Sequence, residues 1–196
     1  GALIFTISSL GQTIGPGGIG LSNELSVWLD ASTISASNGS TVSNWNDISG
    51  NNNHFLQTSA SLKPSFVESS SINSKPAVLF SNDNLFSSSI SSLNTSNISW
   101  FIVSKTSATG LQVLFRSNYS SGAGSSSQSA QLLGLYSSSS GGVIQYVRAS
   151  NGNIKANTQT TISGSHISSS VWSSTTLSSF TDNTLVSNIS TGILNA

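Results

Sequence analysis

The stretch LSVWLDASTISASNGSTVSNWNDISGNNNHF, residues 25–55, organises the reading of this chain. It opens with Leu25, Val27 and Leu29 alternating with Ser26 and Trp28, the two-residue period of a β-strand, and stops at Asp30. Residues 31–42 form a polar excursion with an Asn38-Gly39 pair, a turn signal. Trp45 to Ile48 reads as a short ordered piece. Gly50 and the asparagines 51–53 then make a tight polar turn, because Gly and Asn tolerate positive φ.

Strand patterns continue outward from this stretch. Residues 64–67 and 76–80 are short strands, each opened by a proline, which a strand tolerates at its first residue. Residues 99–104, SWFIVS, are the most apolar run of the chain and read as a central strand covered on both faces. Further strands are expected at 111–115, 131–136, 143–149, 171–172, 177–180 and 185–186. The pair 131–136 and 143–149 forms a hairpin. Asp182-Asn183 takes the place of a two-residue hairpin turn. Asn151-Gly152 marks another turn, and 120–129, SSGAGSSSQS, a low-complexity loop. No stretch carries a helical period, and no fixed repeat is present. Many short strands with a turn about every ten residues imply an all-β sandwich or barrel.

Composition narrows the class of function. The chain has 196 residues, about one domain by length. Charged residues are 6%, against about 25% in ordinary soluble domains. About a quarter of the chain is serine. Net charge is zero, and the six basic residues are dispersed. Nucleic-acid binding and a polybasic membrane patch both need clustered Lys/Arg, so both are set aside. Neither Cys nor Met occurs, so an extracellular fold would rest on packing or a bound ion rather than on disulfides.

At the N-terminus, residues 1–11 read as the back half of a secretory signal peptide, the alternative being an N-terminal β-strand of the domain. An apolar run at 2–10 ends in the small residues Ser9 and Gly11, a cleavage pattern. The run is shorter than the about 20 residues a membrane span needs. Residues 12–20 are a Gly/Pro-rich leader, and the domain is expected over 21–196. The start at Gly1 reads as a truncation point.

Val27 to Ala31, residues 42–51 (VSNWNDISGN) and residues 75–80 (KPAVLF) resemble, in order and spacing, the laminin-G-like, concanavalin A-like jelly-roll domains of secreted bacterial surface proteins. The likeness covers 21–195 and is most specific from Trp28 to Phe80. It implies a two-sheet antiparallel jelly-roll sandwich, secreted or at the cell surface. It also implies carbohydrate or protein binding and, in some members, calcium. Such domains close with a further strand after the hairpin at Asp182; this chain stops at Ala196 without it, so the domain is expected to be incomplete.

Several residues are candidates for a site. Trp28 and Trp100 lie in apolar runs and read as core. Trp45 lies in a polar segment and, with Asn46, is the candidate ligand platform, although core packing is the commoner fate of an indole. Asp30, Asp47 and Asp83 form a candidate calcium set with nearby Asn side chains. Calcium takes about six to eight hard oxygens, and the competing reading is that each Asp caps its own turn. His54 and His166 are too few for a zinc site without Cys. No G-x-S-x-G elbow supports a serine nucleophile. The only glutamates, Glu24 and Glu68, do not form the carboxylate pair of a glycosidase. Sequons at Asn38, Asn94, Asn97, Asn118 and Asn188 are the chance product of an Asn/Ser-rich chain. The expectation is a non-catalytic extracellular module that binds a glycan or a cell-surface protein, without membrane insertion of the mature domain. The alternatives are a structural spacer of a large surface protein and an accessory domain of a secreted hydrolase.

Overall fold

The computed structural model describes residues 25–87, 90, 98–105, 112–116, 132–137, 143–148, 154–158, 165–173 and 176–190. The expected signal and leader segments, the expected loop at 120–129 and the expected turn at Asn151-Gly152 lie outside the described residues. The chain divides into two compact units, Gly1–Ile90 and Ser91–Ala196. Both are built from antiparallel strands, and the helical turns among the described residues are two 3-10 turns, at Ala31–Thr33 and Ala60–Leu62. None is long or apolar enough to cross a membrane.

Among the described residues the first unit carries four short strands. Strand β1 (Asn44–Trp45) pairs with β2 (Phe55–Leu56), and β3 (Ser65–Val67) pairs with β4 (Ala77–Leu79). The Asn38-Gly39 turn is closed by a 3.0 Å bond from the Ser40 N–H to the Ser37 carbonyl. Gly39 sits at φ +82°, as the third residue of a type II turn requires. Beyond it the chain runs beside β3. The Phe66 N–H donates to the Ser40 carbonyl at 2.8 Å, and the Val42 N–H to the Pro64 carbonyl at 2.7 Å. Val42, Pro64 and Phe66 are buried there and, with Ala31, form the small core of this unit.

The expected first strand, 25–29, is not one. Among the described residues it pairs at the single bridge Leu29–Asp47, where the Ile48 N–H also donates to the Trp28 carbonyl at 2.9 Å. Polar side chains take the place of a ladder. Asn51 Nδ2 donates to the Leu25 carbonyl, Asn53 Nδ2 donates to the Ser26 carbonyl, and the Trp28 N–H donates to the Asp47 carboxylate.

Among the described residues the second unit holds two four-stranded sheets. One has the order β12-β11-β10-β5, built from Thr184–Ser190, Thr176–Thr181, Ser165–Ser173 and Ile98–Lys105. The other runs β6-β7-β8-β9, from Gln112–Arg116, Leu132–Ser137, Val143–Arg148 and Ile154–Thr158. The expected hairpin is β7–β8, in register from Leu132–Arg148 to Ser137–Val143. The Asp182-Asn183 turn joins β11 to β12 with φ of +47° and +66°, the two positive values of a type I′ turn.

Strand β5 corrects the expectation of a central strand covered on both faces: it lies at the edge of its sheet. Trp100 on one face is buried, but Phe101 and Val103 on the other are exposed. The register pairs Trp100 with Ser170, and Ser170 in turn with Ser179. Alternation puts these residues on one face with Ser168 and with Leu177, which is fully buried. That buried face is therefore as much hydroxyl as hydrocarbon. The Ser170 and Ser179 hydroxyls meet at 3.1 Å. The Ser168 hydroxyl and the Trp100 indole N–H are buried without a hydrogen-bond partner.

Candidate functional site

Among the described residues of the first unit, the most highly connected polar group is the Asp47 carboxylate, 5% exposed. Oδ1 accepts from the Trp28 N–H at 2.8 Å and the Ser49 N–H at 2.9 Å. Oδ2 accepts from the Ser49 hydroxyl at 2.8 Å and the Asn53 N–H at 3.0 Å. The residue's own N–H donates to His54 Nδ1 at 3.0 Å, which makes Nδ1 the acceptor nitrogen of that ring. Four donors on two oxygens compensate the cost of burying the charge. Burial pushes the carboxyl pKa up, but the bonds from Trp28, Ser49 and Asn53 pull it down by more, leaving it below its ordinary 3.8. Positive φ at Gly50 and Asn52 lets the loop 48–53 wrap back around this one side chain.

The other two aspartates of the expected calcium set are also engaged locally. Asp30 Oδ1 accepts the Ser32 N–H at 2.8 Å and caps the 3-10 turn at Ala31–Thr33. Asp83 Oδ2 accepts the Ser81 N–H at 2.8 Å, closing a turn through Asn82 at φ +60°. The three do not gather: among the described residues no group of three or more His, Asp or Glu side chains is placed to hold a metal ion. Asp47 in particular meets N–H and O–H donors with both oxygens, the arrangement of a structural knot rather than of a cation ligand.

Trp45 is half-buried in β1, and its indole nitrogen is buried without a hydrogen-bond partner. Asn46 is exposed and accepts from Asn44 Nδ2 at 2.8 Å. The bond between the Asn44 and Asn46 side chains puts them on one side of the chain, opposite the Trp45 between them. The structure thus does not bring Trp45 and Asn46 together on one face. Trp28 is half-buried beside the Asp47 knot and Trp100 is buried; the side chain of Trp172 lies outside the described residues.

Two features of the second unit carried no signal in the sequence. His166 and Asp182 are sixteen residues apart, yet Nδ1 and Oδ2 lie 2.7 Å from each other. Asp182 Oδ1 also accepts the Ile167 N–H at 2.9 Å. That backbone bond first, and then the histidine, hold the Asp182 carboxyl below its ordinary 3.8. The other feature is the outer face of β5 and β10. The register places Phe101 opposite Ser169, Val103 opposite Ile167, Ser99 opposite Val171 and Lys105 opposite Ser165. Phe101 is 71% exposed, and Val103, Ile167 and Val171 are exposed with it. Ser169, directly opposite Phe101, is itself buried, so the open part of this face is the phenyl ring, the aliphatic side chains and the exposed Ser99 and Ser165, with Lys105 at its end. The sequence shows the alternation of β5 but not which of its faces is open.

No family model, curated protein or solved structure matches this chain.

Proposed function

We propose that this protein is a non-catalytic binding module of a secreted or surface-attached protein, recognising carbohydrate on the outer face of β5 and β10. The observation that carries this reading is Phe101, the most exposed large apolar side chain of the face, standing across from Ser169 and between Val103 and Ser99. The apolar face of a sugar ring stacks on an aromatic ring, and its rim hydroxyls are met by serine hydroxyls. Contiguous exposed apolar patches of about 300–600 Å² on monomers are often functional. The antiparallel all-β build and the likeness of residues 27–80 to laminin-G-like domains support a jelly-roll sandwich. The described residues of this face carry no carboxylate, so recognition there does not call for calcium.

The test is a glycan array with the intact chain, with added Ca²⁺ and with EDTA. The parent chain and the F101A and W45A variants are compared, each confirmed folded by circular dichroism. Binding that survives EDTA and W45A but is lost in F101A is expected. Binding lost in W45A alone, or abolished by EDTA, moves recognition to the first unit. No binding by the folded parent sinks the carbohydrate reading.

A structural spacer is the second reading. It is favoured by the first unit, where the Asp30, Asp47 and Asp83 carboxylates and the Asn51 and Asn53 amides all hold turns or neighbouring backbone.

A further inference from the structure

We propose that Asn38 is a latent self-modification site, held unreactive by its contacts with the end of β3. In an Asn-Gly pair the glycine backbone nitrogen can attack the asparagine Cγ. A new N–Cγ bond forms, the Cγ–NH2 bond breaks, and ammonia leaves with the former amide proton. Water then opens the five-membered succinimide at either carbonyl, leaving aspartate or isoaspartate at position 38. The only co-reactant is water.

Three observations bear on this chemistry. First, Asn38 lies exposed on the turn, and a Cβ added at Gly39 would meet nothing within 4 Å. The Gly39 Cα therefore faces open space, with no side-chain bulk on the turn. Second, the attacking nitrogen's hydrogen is engaged: the Gly39 N–H donates to the Phe66 carbonyl at 2.8 Å. Attack requires this nitrogen to lose its proton and turn its lone pair toward Cγ, which breaks the bond to Phe66. Third, the electrophile is also pinned, because Asn38 Oδ1 accepts the Glu68 N–H at 3.0 Å. Swinging Cγ over the Gly39 nitrogen breaks that bond as well. Both restraints end on residues 66 and 68, so one local opening releases both. The aspartate product keeps an acceptor for the Glu68 N–H. The isoaspartate product adds a methylene to the main chain and shifts the turn against the Thr41–Ser65 bridge that follows. Either product adds one negative charge to a chain whose net charge is zero.

The experiment follows ammonia loss at Asn38 by peptide mapping and ion exchange in mildly alkaline buffer. The intact chain is compared folded and in concentrated urea, where Asn151-Gly152 calibrates the unhindered rate. Asn38 in the folded chain is expected to react at least about ten-fold more slowly than in urea. A folded-state rate within about two-fold of the unfolded one overturns the proposal, since it would mean the contacts do not restrain the reaction. A second measurement needs no variant. In sub-denaturing urea, the rate at Asn38 and the hydrogen-exchange rate of the Gly39 amide should rise in parallel. Exchange that accelerates while the Asn38 rate stays flat also overturns it. The F66A variant, which empties the buried site behind the latch, should raise both rates together.

Discussion

Replacing Asp47 tests how the first unit is held together. In D47A three backbone N–H groups, those of Trp28, Ser49 and Asn53, lose their acceptor. A buried donor left without a partner costs about 1–3 kcal/mol. Trp28 and Asn53 are half-buried and recover part of that from water, whereas Ser49 is buried. The expected loss is therefore about 3–5 kcal/mol, against a total stability of about 5–15 kcal/mol for a typical domain. D47N is milder. It keeps an oxygen for Trp28 and Ser49 but turns an amide donor toward the Asn53 N–H, for a loss of about 1–3 kcal/mol. The pH dependence has a definite sign. The folded pKa lies below the ordinary 3.8, so the carboxylate's contribution is complete above the unfolded pKa and is lost as pH falls through the folded one. Urea unfolding read by tryptophan fluorescence, with hydrogen exchange at the Trp28 and Asn53 amides, measures all three effects. The parent should lose stability below pH 3.8, and D47N should lose less over the same range. A D47A loss under about 1 kcal/mol, with both amides as protected as in the parent, would refute the knot.

Other perturbations follow from the same geometry. G39A meets no steric obstacle but forces an L-residue to φ +82°; a loss of about 1–2 kcal/mol in urea unfolding is expected. L177A removes a fully buried side chain from the inner face of β11 and should cost about 2–5 kcal/mol by the same assay. In D182A the Ile167 N–H loses its acceptor, so the protection of that amide in hydrogen exchange should fall while the centre of β10 is unchanged. In the parent, Ile167 should lose protection as pH drops below the usual carboxylate range, because the folded Asp182 pKa is depressed.

The strands easiest to read in the sequence were those whose apolar residues outnumber their serines. The β7–β8 hairpin was legible because LLGLY and VIQYV are bounded by Ser/Gly runs. The β11–β12 turn was legible because Asp and Asn accept positive φ. Strand β9, IKANT, and the first half of β10, SHISS, were not, since serine and lysine hide the two-residue period even where Ser168 is buried. Residues 25–29 misled in the other direction. Their alternation is that of a strand, but the Asn51, Asn53 and Asp47 side chains take backbone groups that a ladder would have used. Of the candidate site residues, Asp30 and Asp83 were legible as turn caps from local spacing. Asp47 gathers donors from both ends of residues 28–53, and no local pattern announces that. The opening of the β5 face was equally hidden, because a run apolar on both sides does not say which side remains in water.

The hydroxyl-lined face of β10 and β11 has a thermal consequence. Unfolding exposes apolar surface, which raises the heat capacity by about 0.45 cal/K/mol per Å², and polar surface, which lowers it by about 0.26. A face where Ser168, Ser170 and Ser179 are buried beside Trp100 and Leu177 therefore returns less heat capacity per unit area than a leucine-valine interior. The curvature of the stability dome scales with that quantity. The more of the buried interior is hydroxyl in this way, the flatter that dome, and the more slowly the sheet's stability changes between cold and warm water.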